Sequence, residues 1–491
     1  MALRDERFLN VVENNVFRCP ESPYWKLFKN AGCDYGDLAA NLERYGLEKT
    51  LEQIAGEGVY LTPEEFKGKR EISRGSTKFY FDSQSSERDR TSPSIRMQSS
   101  GTSNVPQSYF IPVRALASRS VSMCIFLEAH KLFAYSSAVQ DAILPSNGGA
   151  RDLLVSAGFG HRSERWFAGA VPSHRWLSRR WSEAMTHLIV FMGNVFGPGF
   201  PRPEFVEAEN VQPILDWVSQ ERRREKMCFI RCTASNAARI ARAAYDKGIS
   251  LEGTKFRVGG EPFTEAKREV IARSGAVAIP VYGFEGGVIG FGCANPAFLD
   301  DLHVDVSQFA LIARPQPLDY AAELHPLLLT TLDEDAQRFY LNVDIGDHAI
   351  LTQRRCGCLF ERLGMAQHIH QIRSHEKFTS EGMNYFYGDL FELLENSLPS
   401  EFGGGPGDYQ LVEEEDAGGQ TRLVLIVHPQ VGFLREEAVL TRLHDALARG
   451  SRANDFQTSV WKDAGTVKIK RQLPLATARG KILPLRVSRV S

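Results

Sequence analysis

The chain has 491 residues, of which 43% are hydrophobic and 24% are charged, and its formal net charge is -2. This balance is typical of a globular protein with two or three domains, and it does not indicate a nucleic-acid partner. No apolar run is long enough to cross a bilayer and the opening residues mix both charge signs, so we expect no signal peptide, no membrane contact and a cytoplasmic location. We therefore expect the eight cysteines to be free, metal-bound or catalytic rather than paired in disulfides.

The first part of the chain predicts helices around a polar segment. Residues 1–70 carry apolar residues at helical spacing, residues 74–107 are rich in Ser, Arg and Thr and indicate a loop, and residues 113–133 predict a helix. We interpret residues 161–181, which are crowded with His, Arg and Trp, as a surface helix with buried Trp faces. The alternative is that they form part of a substrate pocket.

The polar segment contains a run of hydroxyl side chains around one glycine: Ser99, Ser100, Gly101, Thr102 and Ser103. Such a loop can surround a phosphate chain, because glycine lets the backbone approach closely and Ser and Thr hydroxyls donate to phosphate oxygens. It is not a Walker loop, since no Gly-Lys-Ser/Thr follows. A plain polar loop is the alternative.

The middle of the chain alternates strand and helix patterns. Residues 227–232, 255–258 and 276–281 predict strands, and residues 234–247 and 264–273 predict helices between them. This order indicates a parallel sheet with crossover helices, in which ligands bind beyond the carboxyl ends of the strands. Two glycine-rich segments follow strands at that position, residues 259–262 and residues 282–287.

The last part of the chain predicts a small α+β module of a little over one hundred residues. Residues 409–412 and 421–428 indicate paired strands around an acidic turn, residues 436–449 an amphipathic helix, and residues 467–473 a further strand.

Four residues in the second half have side chains that zinc prefers: Cys293, His303, Cys356 and Cys358. Cys356 and Cys358 are close enough in sequence to share one ion, and three Cys with one His complete a tetrahedral structural site. Ordinary cytosolic thiols in a loop are the alternative. Cys228 and Cys232 lie on an apolar strand, and we expect both in the core.

Several short motifs occur in one order along nearly the whole chain. They are residues 22–32, the hydroxyl loop from Ser99 to Pro106, Gly260-Glu261-Pro262, residues 282–285, residues 330–332 with 340–344, Arg373, and Leu473-Pro474 followed by Gly480-Lys481. In this order they resemble the adenylate-forming superfamily of acyl-CoA synthetases, luciferases and peptide-synthetase adenylation domains. Within it the chain looks closest to the phenylacetate-CoA ligase branch and related acyl-protein synthetases.

The resemblance implies an α/β fold with two domains. A large domain, residues 1–373, would have mixed and parallel sheets flanked by helices. A small, mobile α+β domain, residues 374–491, would carry the catalytic lysine. Some members of the resembled branch carry zinc at the place of the Cys/His residues.

The resemblance also implies a reaction, in which a carboxylate attacks the α-phosphate of ATP and the acyl-adenylate passes its acyl group to a nucleophile, usually CoA. The implied nucleotide-binding residues are Ser99, Ser100, Gly101, Thr102, Ser103, Gly260, Glu261, Pro262, Tyr282, Gly283, Asp344 and Arg373. Asp344 would accept both ribose hydroxyls, and Arg373 would stand at the domain junction. The implied catalytic residues are Lys481, Glu285, which would bind Mg²⁺, and Thr102. Asp344 as a turn residue and Lys481 as a solvated tail residue are the alternatives.

The chain departs from the family pattern at four positions in two segments. The hydroxyl loop has Asn104 and Val105 where the family often has Gly and Lys, and Ile372 and His375 flank Arg373 where Gly and Asp or Lys are usual. Val105 cannot replace a charged donor to phosphate.

The expected partners are a small carboxylic acid, aryl or medium-chain, and CoA. Transfer to a carrier protein, a protein cysteine or an amine is the first alternative, and a non-catalytic nucleotide-binding scaffold is the second. A homodimer is also among the expectations. Transfer to CoA predicts a basic patch for its 3′-phosphate, and Arg222 to Arg224 is a candidate, although such a run is usually a solvated helix face.

Overall fold

The computed structural model describes residues 3–81, 93–98, 108–144, 148–169, 176–206, 210–284, 287–314, 325–336, 338–374, 391–415, 421–448, 467–477 and 480–488. The hydroxyl loop from Ser99 to Ser103, Glu285 and the side chain of Arg373 lie outside this description, so their predicted roles stay predictions.

The described helices follow local sequence signals. Asp34 begins one helix with a capping box to Asp37, and the hydroxyls of Thr233 and Thr264 cap the first turns of two others. The helices are α1 (Arg4–Val12), α2 (Pro23–Ala31), α3 (Tyr35–Tyr45), α4 (Leu47–Gly56), α5 (Pro63–Phe66), α6 (Val113–Ala129), α7 (Gly149–Ala157), α8 (Trp176–Phe196), α9 (Gln212–Arg223), α10 (Ala234–Asp246), α11 (Glu265–Arg273), α12 (Leu359–Arg362), α13 (Leu398–Phe402) and α14 (Glu436–Ala448), with π-helical turns at Glu13–Phe17 and Leu393–Ser397. None of these helices is both long and apolar enough to span a bilayer.

The described strands form one large sheet and three smaller ones. They are β1 (Ile72–Arg74), β2 (Thr77–Phe79), β3 (Ser94–Gln98), β4 (Ser108–Pro112), β5 (Ser136–Gln140), β6 (Arg165–Gly169), β7 (Pro203–Val206), β8 (Cys228–Thr233), β9 (Lys255–Gly259), β10 (Val277–Phe284), β11 (Gly287–Gly292), β12 (Leu302–Val304), β13 (Phe309–Ala313), β14 (His325–Thr331), β15 (Val343–Gln353), β16 (Gln367–Ser374), β17 (Tyr409–Glu415), β18 (Thr421–Val427), β19 (Val467–Arg471) and β20 (Leu485–Ser488).

The large sheet has twelve strands in the order β13-β14-β15-β16-β12-β11-β10-β9-β8-β5-β6-β7. The six strands from β7 to β10 run parallel, as the strand and helix patterns predict, and every pair from β10 to β13 is antiparallel. Helices α6 and α7 pack on one face of the parallel half, where they reach Arg257 of β9 through Met123 and Asp152. Helices α9, α10 and α11 pack on the other face.

The small sheet near the C-terminus has the order β19-β18-β17-β20. Strands β17 and β18 are antiparallel partners, as predicted, while β19 and β20 join them in parallel. Residues from this sheet, from the turn Leu393–Ser397 and from α14 form a hydrophobic cluster of their own. These elements form a small α+β unit, and the domain boundary at residues 373 and 374 stays a prediction.

Two interpretations of the first part of the chain are wrong. Residues 161–181 are not one surface helix: β6 occupies 165–169, where Trp166 is fully buried and its indole N–H donates to the carbonyl of Asp141 at 2.8 Å. Helix α8 begins only at Trp176. The polar segment is also not all loop, because β1 to β3 contain residues 72–74, 77–79 and 94–98. In both places strand pairing outweighs local composition: β6 pairs with β5 and β7, while β1 pairs with β2 and β3 with β4 in hairpins.

Candidate functional site

The small module docks on the carboxyl ends of β8 and β9. Asp408 accepts an ion pair from Arg242 of α10 at 2.6 Å, and Glu395 pairs with Lys267 of α11 at 2.8 Å. Lys267 and Glu395 are both almost completely buried. Burial lowers the pKa of Lys267, but the Glu395 carboxylate outweighs this and the pKa is raised, so the lysine is charged. This docking brings the hairpin that contains Thr477 and Lys481 over the sheet.

Lys481 lies in that hairpin. The turn is closed by the N–H of Thr477 donating to the carbonyl of Lys481 at 2.8 Å, and Gly480 takes a left-handed φ of 75° that favours glycine. A Cβ atom at Gly260 would lie 2.9 Å from Nζ of Lys481, so the amine lies directly against the Gly260 backbone. Lys481 is only 4% exposed. A buried position at the end of β9 is not that of a solvated tail lysine.

Glu261, one of the implied nucleotide-binding residues, contacts the first turn of α10. Its carboxylate accepts the backbone N–H of Ser235 at 2.6 Å and the Ser235 hydroxyl at 2.7 Å, at the first turn of α10. A carboxylate is favourable there because the first N–H groups of a helix have no partner within the helix. Glu261 therefore joins β9 to α10, next to the Gly260 backbone that faces Lys481.

Asp344 is positioned by the N-terminal helical region. Its backbone N–H donates to the carbonyl of Leu61 at 2.8 Å, and the preceding Asn342 is buried with a left-handed φ of 48°. The Asn342 amide donates to the carbonyls of Leu51 and Val59 at 3.0 and 3.1 Å. Asn tolerates this backbone conformation better than most residues. The motif around Asp344 thus fixes its backbone as well as supplying a carboxylate.

The Asp344 carboxylate is partly shielded from water. It accepts the backbone N–H of Gly346 at 2.9 Å. Burial raises its pKa to about 6, although that hydrogen bond and the nearby Arg314 both act to lower it. Sequence reasoning missed Arg314, which also donates to the Tyr60 hydroxyl at 3.0 Å.

Tyr282 joins this group from the neighbouring half of the sheet. Its hydroxyl donates to the carboxylate of Asp347, and burial, followed by the negative charge of Asp347, raises the pKa of Tyr282 well above its usual value. The tyrosine is therefore a neutral donor, and its link to Asp347 connects the end of β10 to β15. The sequence motif indicated Tyr282 but not Asp347, which lies three residues after Asp344 on the same strand.

The structure gives the position of the remaining predicted residues but few contacts of their side chains. Pro262 and Gly283 lie directly after Glu261 and Tyr282, at the ends of β9 and β10, and the backbone of Arg373 pairs with that of His348 in β15. Two side chains of the Arg222–Arg224 run bind groups of the same domain: Arg222 donates to Ser250, and Arg224 pairs with Glu221 at 2.9 Å. The run therefore gives no support to a CoA phosphate site.

The four predicted zinc ligands come together at the other end of β11. The thiol sulfurs of Cys293, Cys356 and Cys358 and a ring nitrogen of His303 all lie within 4.8 Å of one another. Nδ1 of His303 lies 2.6 Å from the carbonyl oxygen of Met365, which can only accept, so Nδ1 carries the proton. The lone pair on Nε2 then points at the thiols, 3.1 Å from Sγ of Cys358. This donor set and tautomer fit a tetrahedral metal site.

The surroundings of this Cys/His cluster support the same interpretation. Arg354 donates to Sγ of Cys293 at 3.3 Å, and burial lowers the pKa of His303 to about 4, which keeps its ring neutral as a ligand must be. Burial raises the pKa values of the Cys293 and Cys356 thiols, so a cation is needed to hold them as thiolates.

Of the two cysteines expected in the core, Cys228 is buried and Cys232 is partly buried.

Comparison with known proteins gives structural likeness alone. No protein-family model matches this chain, and no curated protein matches it. Among solved structures, 2-hydroxyisobutyryl-CoA ligase in the postadenylation state in complex with 2-HIB-AMP is similar, with a TM-score of 0.56, 13% identity, and 99% of this chain and 90% of that chain covered. The same ligase in complex with 2-HIB-AMP and CoA in the thioesterification state has a TM-score of 0.51, 14% identity, and 100% and 90% coverage.

At this level of identity the likeness establishes the fold and not the reaction. The phenylacetate-CoA ligase branch stays a prediction. The mixed twelve-stranded sheet with its flanking helices and the module that docks on it agree with the α/β fold expected from the sequence motifs. The chain has the fold of 2-hydroxyisobutyryl-CoA ligase.

Proposed function

We propose that the protein is an ATP-dependent carboxylate ligase that forms an acyl-adenylate and then transfers the acyl group to CoA. In the first step a carboxylate oxygen bonds to the α-phosphorus of ATP, and the bond from that phosphorus to the bridging oxygen breaks, so pyrophosphate leaves with the electron pair. In the second step the CoA thiol bonds to the acyl carbon, AMP leaves with the electron pair of the broken acyl–oxygen bond, and the thiol proton passes to solvent.

The observation that carries this proposal is the position of Lys481. Its amine lies against Gly260 at the carboxyl end of β9, where ligands of parallel sheets bind. The first step brings an anionic carboxylate to a polyanion, and a buried ammonium group stabilises the charge that develops there. The hairpin of Thr477 and Gly480 holds this ammonium group in place.

Asp344, Tyr282 and Asp347 supply the nucleotide side of the site. An ionised Asp344 is suited to accept two ribose hydroxyls, since a carboxylate has acceptor capacity for both beyond the bond from Gly346. Tyr282, held by Asp347, presents its ring at the end of β10, where it would contact the adenine. The hydroxyl loop and Glu285 complete the proposal as the predicted sites for the phosphates and Mg²⁺.

CoA is the favoured acceptor because the similar ligase is described as binding it, and transfer to a carrier protein or an amine is the alternative. The nucleotide-only scaffold is the second alternative. We also propose that the Cys/His cluster holds one structural zinc ion.

Pyrophosphate release from ATP tests the reaction. We expect release that depends on a carboxylic acid and, when CoA is added, formation of a thioester with AMP. Release with an acid but no thioester would move the proposal to another acceptor. Tight ATP binding without pyrophosphate release from any acid in a broad library would instead support the scaffold.

A further inference from the structure

Helix α8 is apolar on two opposite faces. One face packs on the large sheet, where Val190 belongs to the buried cluster around Trp166. Thr186 on the same face is buried as well, and its hydroxyl accepts the backbone N–H of Leu144 at 3.3 Å. The opposite face carries large apolar side chains that are exposed: Trp181, Leu188, Phe191, Met192, Val195 and Phe196. A surface helix normally has a polar outer face, and a helix that is apolar all round is normally buried. The outer face of α8 is therefore typical of a helix that packs against a partner.

The exposed apolar surface continues onto the edge of the large sheet. Strand β7 is the last strand at this end of the sheet in the part of the chain that the structure describes. Phe205 of β7 lies opposite Ala168 of β6, and Ala168 belongs to the hydrophobic cluster on which α8 packs. Because paired residues of neighbouring strands share a face, Phe205 lies on the face that α8 covers, and it is 50% exposed. We call Phe205 and the six exposed side chains of α8 the edge patch.

The edge patch is larger than the apolar patches that monomeric proteins usually expose. Its four aromatic side chains are 50–79% exposed, and since each has about 150–250 Å² of surface, together they contribute roughly 500 Å². Leu188, Met192 and Val195 are each about half exposed and add to this area. The largest patch on a typical monomer is about 300–600 Å², and each partner of a standard interface contributes about 800 Å². The area of the edge patch therefore fits an interface between two protein chains.

The order of residues along α8 fits a second copy of the same helix. Trp181, Leu188 and Val195 are seven residues apart, which is the spacing of the seam between two packed helices. The charged residues of α8 all lie in its first eight positions, and they are Arg179, Arg180 and Glu183. In an antiparallel pair centred on Leu188, the charged end of each helix lies beside the uncharged end of the other, whereas a parallel pair brings like charges together. A two-fold axis makes the antiparallel contact self-complementary.

We propose that the edge patch binds the edge patch of a second copy of this chain, with the two α8 helices antiparallel and Leu188 of each at the two-fold axis. This gives the homodimer expected from the sequence a specific surface, and it does not depend on the proposed ligase activity. A bilayer surface fits less well, because it attracts Lys and Arg beside an apolar face and α8 has neither after Arg180.

The mass of the full chain in solution tests the proposal. Because interfaces of standard size have Kd values between micromolar and picomolar, the protein at about 50 μM should sediment as a dimer. Leu188→Glu should be monomeric, since two carboxylates would then meet at the axis. Tyr245→Glu, at an exposed position of α10, is the matched control and should stay dimeric. A monomeric wild type, or a dimer that Leu188→Glu leaves intact, would overturn the proposal.

Crosslinking tests the arrangement of the helices, and it decides the matter if Leu188→Glu does not fold. Packed helices lie about 8–10 Å apart, so a short bis-maleimide should join two copies of Leu188→Cys. Trp181→Cys should crosslink to Val195→Cys when the two proteins are mixed and not to itself, because its two copies lie about 21 Å apart along an antiparallel pair. Wild type and Tyr245→Cys are the blanks. No product from Leu188→Cys above the blanks, or self-crosslinking of Trp181→Cys, would contradict the antiparallel dimer.

The other possible occupants of the edge patch give different results. Wild-type protein that is monomeric and floats with vesicles of neutral phosphatidylcholine would assign the patch to a bilayer surface. Wild-type protein that is monomeric and does not float would leave the patch to a different protein. Either result overturns the dimer.

Discussion

The two halves of the large sheet contribute different chemistry to one site. The parallel half, from β7 to β10, brings Gly260 at the end of β9 and the docked Lys481. The antiparallel half, from β10 to β13, brings Asp344 and Asp347 on β15 and holds the Cys/His cluster. Strand β10 belongs to both halves, and Tyr282 near its end connects them through Asp347. Under the proposed function, this arrangement implies that acid activation and nucleotide binding can be impaired separately.

The largest effect is expected at Lys481, whose loss should impair the parallel half alone. Lys481→Ala should slow acid-dependent pyrophosphate release by about 10²- to 10³-fold, since one charged donor is lost where charge develops. ATP binding by calorimetry, and conversion of a synthetic acyl-adenylate with CoA, should stay close to wild type. Lys468→Ala, on an exposed position of β19, is the control. Normal pyrophosphate release in Lys481→Ala would contradict the proposed role.

The converse is expected at Asp344. Asp344→Ala should weaken binding of ATP by about 2–3 kcal/mol, roughly 30- to 150-fold, because two charge-assisted hydrogen bonds to the ribose are lost. Asp335→Ala, which removes an exposed carboxylate before β15, should leave ATP affinity unchanged. Equal ATP affinity for Asp344→Ala and wild type would remove Asp344 from the nucleotide site.

Removal of zinc should destabilise the antiparallel half of the sheet and leave the proposed reaction unchanged. Protein purified without added zinc should contain about one zinc ion per chain, and Cys358→Ser should lose it. We expect the midpoint of thermal unfolding of Cys358→Ser to lie about 5 °C below that of wild type. Loss of the metal lowers the free energy of unfolding, and each kcal/mol lost moves the midpoint of a large domain by about 2–4 °C. Cys19→Ser should keep both the metal and the midpoint. A metal-free wild type of equal stability would refute the zinc site.

The smallest effect concerns pH. Because burial raises the pKa of Asp344 to about 6, this group binds a proton in the folded protein at a pH where it is ionised in the unfolded chain. Its stability contribution is therefore present below its usual pKa and is lost as the pH rises through 6. ATP binding has the opposite sign: affinity should fall about fourfold from pH 7.5 to 5.5, as the ionised fraction of Asp344 falls. In Asp344→Asn the component of this pH dependence that comes from Asp344 should vanish. A pH profile shared by both proteins would assign it to another group.

The same two halves differ in how much of them could be predicted from the sequence. Each unit of the parallel half is local: an apolar strand such as 228–233 is followed at once by the helix that covers it, and the order of patterns predicts the sheet. In the antiparallel half the partners are far apart in the chain. Leu302 pairs with Ile369, for example, and no local pattern specifies that register.

The candidate site shows a similar division. The motifs indicated Lys481, Asp344, Tyr282 and the four members of the Cys/His cluster, because each carries a residue type that its chemistry needs. They did not indicate the ion pair of Arg257 with Asp152, since its members are 105 residues apart and each resembles an ordinary charged surface residue. They also could not show that the backbone at Asn342 is held in a left-handed conformation. That conformation depends on hydrogen bonds from the Asn342 amide to the carbonyls of Leu51 and Val59 in the N-terminal helical region.

The pair of Lys267 and Glu395 bears on how the small module leaves the sheet. Both ions are nearly inaccessible to water, and Thr264 also donates to Glu395. A movement that separates α11 from the turn Leu393–Ser397 would pull Lys267 and Glu395 apart before water could solvate either charge. Half-separated positions would therefore have the highest free energy, because both charges would be buried and unpaired. We therefore expect intermediate positions to be scarcely populated. If the module moves as the resemblance implies, we expect only two positions, docked and released, and we expect apolar substitution of both partners to make the transition between them less sharp without changing the docked position.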